Sequence, residues 1–356
     1  MTIFDPKNST ARHGIEKCAI LLGQSRAPII VVNRVDLAGA AAAVTLARQA
    51  GAVLDHTAET GLAPAQEQGT LGTVPGEAHV RADLVIIAGP VTDRLAEDTA
   101  FRRLASPSSS RTVIRIGNAE ISEELFASAE SFTLGGQGLS EQLGILSAIA
   151  QGRPVNLADN LAGEAKRFFA EKLSNAKYGV FVFAPDAIDP LAQFAMMSLA
   201  NTLSAETRWT VLPLGRPRGQ AELIRMSQAL SGLPPPLSFA GVRPVHDRLV
   251  YRAPDLIRRG EADAILWVSA CEEMLPDWID DLPLAAVTAR PDAIPSATTQ
   301  ISIGKPGIDH AGLSEDDVTG FVTADAQTSA VTKDSAAQIL GAITDQLVAS
   351  QTGAAA

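Results

Sequence analysis

One pattern recurs along the chain: a short run of β-branched apolar residues, then an alanine- and leucine-rich amphipathic stretch. PIIVVN (28–33), DLVIIAG (83–89), RTVIRIG (111–117), YGVFVFA (178–184), RWTVLPL (208–214) and ADAILWVSA (262–270) read as strands with apolar residues on both faces. Burial on both faces is what a parallel sheet covered by helices requires. Helices are expected between them, at 11–23, 37–50, 94–104, 139–150, 157–173, 189–203, 219–230 and 253–260. Further strands are read at 52–54, 283–289 and 298–304, and a last helix at 335–349 precedes a frayed tail. Strands alternating with helices throughout predict an α/β fold with parallel sheets. The polar stretch 55–81 is long for a plain connection and reads as a functional loop or the remains of one.

The 356 residues suit two domains, read as Rossmann-like units over 1–155 and 156–356, the second carrying a C-terminal extension and helix. Lys and Arg number 29 against 40 Asp and Glu, a net charge of −11. Such a surface repels phosphate backbones, and no basic cluster is large enough to reverse that, so no nucleic-acid partner is expected. No apolar run reaches the length of a membrane span and the N-terminus has no signal core, which predicts a soluble cytoplasmic protein with no membrane partner. Only two cysteines occur, Cys18 and Cys271. Far apart in sequence, they supply neither a four-thiolate cluster nor a disulfide scaffold.

Few residues announce chemistry. Gly135-Gly136-Gln137-Gly138 resembles a phosphate-cradling turn, but lacks the lysine and hydroxyl of a P-loop and reads as the loop leading into a helix. The histidines, His13, His56, His79, His246 and His310, have none of the spacings that put two imidazoles on one metal, and no GxSxG elbow accompanies them. Ser269 lies at the end of the strand 262–270 and Cys271 just after it, where α/β proteins bind ligands, yet Glu272 and Glu273 follow directly and oppose a thiolate, so a buried structural cysteine is favoured. Arg216 and Arg218 could meet an anion, although small arginine clusters are usually solvated or ion-paired.

Four stretches in order, 51–90, 209–234, 253–276 and 303–321, resemble the B subunit of formylmethanofuran dehydrogenase, of the molybdopterin oxidoreductase superfamily. The resemblance covers most of the chain. It implies two or more Rossmann-like parallel-sheet units of the molybdopterin oxidoreductase type, in which a strand like 262–270 ends in a loop contacting the pterin's nucleotide. Gly89, Pro90, Arg216, Arg218, Ser269 and Cys271 would then be relics of the pterin-binding loops.

The departures carry the functional expectation. Family members open with a cysteine-rich segment for a [4Fe–4S] cluster, and this chain is read as lacking it. The family's metal-ligating cysteine or selenocysteine follows a histidine–threonine segment, where this chain has Ala58-Glu59-Thr60-Gly61-Leu62. Gly89-Pro90-Val91-Thr92 replaces a loop that in the family carries asparagine. Without soft thiolate ligands neither centre assembles in the family's way, so tungsto- or molybdopterin and [4Fe–4S] are predicted lost, with no catalytic or metal-binding residue. A degenerate B subunit of this kind is similar to that of the formyltransferase/hydrolase complex of methylotrophic bacteria. The resemblance implies a scaffold in one-carbon metabolism, with three partners: a zinc amidohydrolase-like A protein, a C protein and a formyltransferase D protein of the same complex. Two alternatives stay open: a pterin-containing redox subunit, and a stand-alone nucleotide-binding protein using Gly135 to Gly138.

Overall fold

The computed structural model describes residues 9–57, 65, 67–106, 110–117, 129–215, 221–271, 275–279, 282–294, 296–316 and 318–354. Its residues divide into two compact units whose segments interleave in sequence. The first comprises Met1–Ala58, Arg218–Glu315 and Val322–Ala356, the second Glu59–Pro217 and Asp316–Phe321. Two α/β units were expected, but a boundary near residue 155 is wrong. The chain leaves the first unit after two strands and returns to complete that sheet only after the second unit's five strands are laid down.

The first unit is built on seven strands: β1 (Pro28–Arg34), β2 (Val53–His56), β8 (Leu237–Ser238), β9 (Val245–His246), β10 (Ala264–Ser269), β11 (Leu284–Thr288) and β12 (Thr299–Ser302). Their order is β12-β11-β10-β1-β2-β8-β9. The first five are parallel, whereas β8 and β9 add an antiparallel edge too short for a periodic signal. Alternate residues of β1 explain its apolar run. Ile30 and Val32 pack with the helices α1 (Ser9–Gln24), α2 (Leu37–Ala50) and the C-terminal α11 (Ala336–Ala354). Ile29 and Val31 pack on the other face, with Trp267 and with Leu256 of α10 (Ala253–Arg258). Helix α2 has clear ends: the Asp36 carboxylate accepts from Gly39 N–H, and Gly51 closes it in the left-handed region at φ +63°. Helix α11 runs on to Ala354 rather than fraying at 349, since no proline interrupts it. A hairpin of β13 (Gly312–Glu315) and β14 (Val322–Asp325) was not expected from the sequence.

The second unit has five parallel strands in the order β5-β4-β3-β6-β7. They are β3 (Leu84–Ala88), β4 (Thr112–Ile116), β5 (Glu130–Phe132), β6 (Tyr178–Phe183) and β7 (Arg208–Pro213). Ile86, Ile114, Phe181 and Phe183 face α6 (Leu139–Ala150), α7 (Asp159–Phe168) and α8 (Pro190–Leu203). Val85, Ile87, Val180 and Val182 face α3 (Pro75–Arg81) and α5 (Thr99–Ala105), which follows the short α4 (Asp93–Glu97). Helix α3 lies inside the stretch read as loop; Pro75 begins it, where a missing N–H costs nothing. Ala221–Ser231 is α9, in the first unit.

Candidate functional site

Ligands of open α/β sheets bind outside the carboxyl ends of the strands, where successive connections turn to opposite sides. In the first unit that point lies between β1 and β10, in the second between β3 and β6. The relic candidates that can be placed sit at these two points. Ser269 is the last residue of β10 and Cys271 follows it; Gly89 and Pro90 follow β3. Each pair lies in a different unit. Arg216 and Arg218 lie outside the described residues, as do Glu272 and Glu273 and the stretch 58–62.

At the first point the crevice holds a small, neutral hydrogen-bonded cluster. The β1–β10 register slips between Val32 and Arg34, so Asn33 has no partner residue on β10 and its side chain turns into the sheet end. Its amide donates to Ser269 Oγ at 3.3 Å and to Cys271 Sγ at 3.2 Å, and its carbonyl oxygen accepts from Thr57 Oγ1 at 2.8 Å. Ser269 Oγ and Cys271 Sγ are 3.0 Å apart. Asn33, Ser269 and Cys271 are all buried. Next to this, on β2, the buried Asp55 accepts from His56 N–H at 2.8 Å and from Ala253 N–H at 2.7 Å, which ties α10 to the strand end. Burial raises its pKa above the usual carboxylate range, against the lowering effects of His56 and of those two N–H donors. Asn33, Thr57 and Asp55 were missed by sequence reasoning. The one available signal was a polar residue closing the otherwise apolar run PIIVVN.

At the second point apolar side chains take the space. Gly89 has φ +81°, and a Cβ built there would lie 2.4 Å from Ile188 Cγ2 and 3.1 Å from Leu139 Cδ2. Leu139 also reaches to 3.3 Å from the corresponding position at Gly117. Ile188 comes from the loop after β6 and Leu139 opens α6, so side chains from two directions close over the glycine.

The Gly135 to Gly138 turn leads into α6, and the Gly138 N–H donates to Glu141 Oε2 of the same helix at 3.0 Å. A carboxylate of the chain itself thus sits where a phosphate would bind. The histidines stay apart: His246 Nδ1 bonds Pro236 O and His310 Nδ1 bonds Ala311 O, each at 2.9 Å, and His13 lies 3.8 Å from Glu16. Among the described residues no group of three His, Cys, Asp or Glu side chains could hold a metal. Cys18 is fully buried among Ile15, Ala19 and Leu22 of α1, and burial pushes its thiol up to about 12. Soft metals bind thiolate, and the partners of Cys271 Sγ are the neutral Asn33 amide and Ser269 hydroxyl, which do not by themselves favour a thiolate.

Fold and strand ends together define an α/β protein of two doubly wound units, with the Asn33–Ser269–Cys271 cluster at one switch point and Ile188 and Leu139 packed against Gly89 at the other. No family model matches it. A relative from Methylorubrum extorquens, the B subunit of the formyltransferase/hydrolase complex Fhc, is 30% identical over 359 aligned residues, covering 94% of each protein. The backbone also matches a chain in the X-ray crystal structure of the formyltransferase/hydrolase complex FhcABCD from Methylorubrum extorquens in complex with methylofuran. There the TM-score is 0.79 and the identity 25%, over 98% of this chain and 99% of the other. This chain belongs to the family of formyltransferase/hydrolase complex B subunits.

Proposed function

We propose that the chain is a non-redox scaffold subunit of a formyltransferase/hydrolase complex. The complex would convert formyl-tetrahydromethanopterin to formate through a formylated methanofuran analogue. The observation that carries this reading is end-to-end kinship with an Fhc B subunit, 94% of both chains aligned. On this reading the partners are the complex's zinc amidohydrolase-like A protein, its C protein and its formyltransferase D protein, and the reacting groups belong to them. The fold is then a descendant of the formylmethanofuran dehydrogenase B subunit, of the molybdopterin oxidoreductase type, that has lost its pterin and metal centres. The filled crevice at Gly89 and the buried thiols support that loss.

Reconstitution tests the proposal. The amidohydrolase-like, C and formyltransferase proteins of the same organism, expressed without this chain, should fail to form one stable assembly and lose coupled formate production. Adding the chain should restore both. Full assembly and turnover without it would contradict the scaffold role.

A further inference from the structure

The hairpin of β13 and β14 makes an excursion that chain connectivity does not require. Because the second unit is inserted into the first, the chain leaves the first after Ala58 and re-enters it at Arg218. It then departs once more for Asp316–Phe321 alone, the tip of the hairpin, which belongs to the second unit while both strands belong to the first. A short connection closes a hairpin without outside help. The packing of the tip therefore has a reason of its own.

What the tip packs against is the start of α3. A helix leaves its first N–H groups without an acceptor inside the helix, and at α3 the N-cap residue, Val74, supplies none from its side chain. Pro75 has no N–H to satisfy. The next donor, Gly76 N–H, bonds Thr319 O of the tip at 3.0 Å. Such an approach needs glycine on both sides. A Cβ on Gly320, at φ +72°, would stand 2.6 Å from Pro75 Cδ and 2.8 Å from Val74 Cβ, and one on Gly76 would stand 3.1 Å from Thr319 O.

The tip is held in shape and tied at its base. Asp316 Oδ1 accepts from Thr319 N–H at 2.7 Å and from Thr319 Oγ1 at 2.6 Å, and Gly320 N–H donates to Asp316 O at 2.6 Å. These bonds fix the residue whose carbonyl reaches α3. Below them, Glu315 N–H donates to Glu222 Oε1 at 2.9 Å, and the Glu315 carboxylate lies 3.0 Å from Arg225 Nη2; both partners belong to α9. A helix of seven residues cannot sustain itself. Its order depends on ties such as this one.

We propose that residues 316–321 are a strap that closes α3: seated, Thr319 O caps the helix, and lifted, the first turn of α3 opens. The order of the helix at the end of the polar stretch 55–81 is then set by the state of the hairpin, whatever the chain assembles with. Hydrogen–deuterium exchange of the full-length chain tests this. Gly320→Ala should speed exchange at 76–82 about ten-fold, the order of one lost hydrogen bond, and leave β3 and β6 as protected as in the wild type. Asp316→Ala, which loosens the tip without adding a clash, should speed it several-fold. Arg225→Met, outside the tip, should speed exchange both at 318–325 and at 76–82. Coupling is reciprocal, so Arg111→Met, which loosens α3 from its other end, should also speed exchange in the tip. Should Gly320→Ala fail to fold, Asp316→Ala and Arg225→Met decide by the same comparison. Exchange at 76–82 that stays at the wild-type rate in the tip variants overturns the proposal, as does a tip unmoved by Arg111→Met. Exchange that rises equally through β3 and β6 overturns it as well, because the tip would then serve global stability and not α3.

Discussion

Gly89 shows how one residue records what a strand end can hold. Its φ of +81° suits glycine, and Ile188 Cγ2 stands 2.4 Å from where a Cβ would be. Gly89→Ala therefore combines a strained backbone with an overpacked contact and should cost about 2–3 kcal/mol of stability, read from urea midpoints. An unchanged midpoint would mean that Ile188 moves aside freely and that the crevice is soft. Gly89 was legible in the sequence as the glycine ending an apolar strand. Ile188 and Leu139 were not, because what fills a crevice depends on a helix start and a loop, 50 and 99 residues further along the chain. Ser269 and Cys271 were legible in the same way, whereas Asn33 is turned toward them only by a register slip that no local pattern announces.

Among the elements, the long strands and their flanking helices could be read from the sequence because each face of each strand is buried against a different helix layer. Ile30 and Ile29 of β1, or Ile86 and Ile87 of β3, fall in separate cores. The two-residue strands β8 and β9 and the hairpin β13–β14 could not, since they are too short or too exposed for alternation to emerge. Helix α3 was hidden in a polar stretch and is secured by a distant side chain. The buried Arg111 guanidinium donates to Arg103 O at 3.1 Å, to Ala82 O at 3.4 Å and to His79 O. It thereby joins the ends of α3 and α5 at the start of β4, and burial lowers its pKa without a carboxylate partner among these contacts. Arg111→Met keeps the length and removes the donors, leaving three carbonyls unpaired. A loss of about 2–3 kcal/mol is expected, with faster amide exchange at 75–82. Exchange unchanged there would show that the helix does not depend on the clamp.

At the level of the whole molecule, the interleaving of the two units was beyond sequence periodicity. Which sheet a strand joins is set by connections that span residues 58 to 217, not by the strand's own composition. The sequence did supply the family resemblance, and the shortage of thiols is what pointed to the part of that family's chemistry expected to be missing. Structure adds where the remaining thiols are: Cys18 inside a helix-packed core and Cys271 in a neutral cluster with Asn33 and Ser269. The central claim, that this fold acts as a scaffold without a redox centre, is tested most directly by elemental and pterin analysis of the purified assembly. Tungsten, molybdenum and iron should each be far below one atom per copy of this chain, and the denatured protein should release no fluorescent pterin. One atom of tungsten or molybdenum per copy, with a pterin released alongside it, would contradict the account.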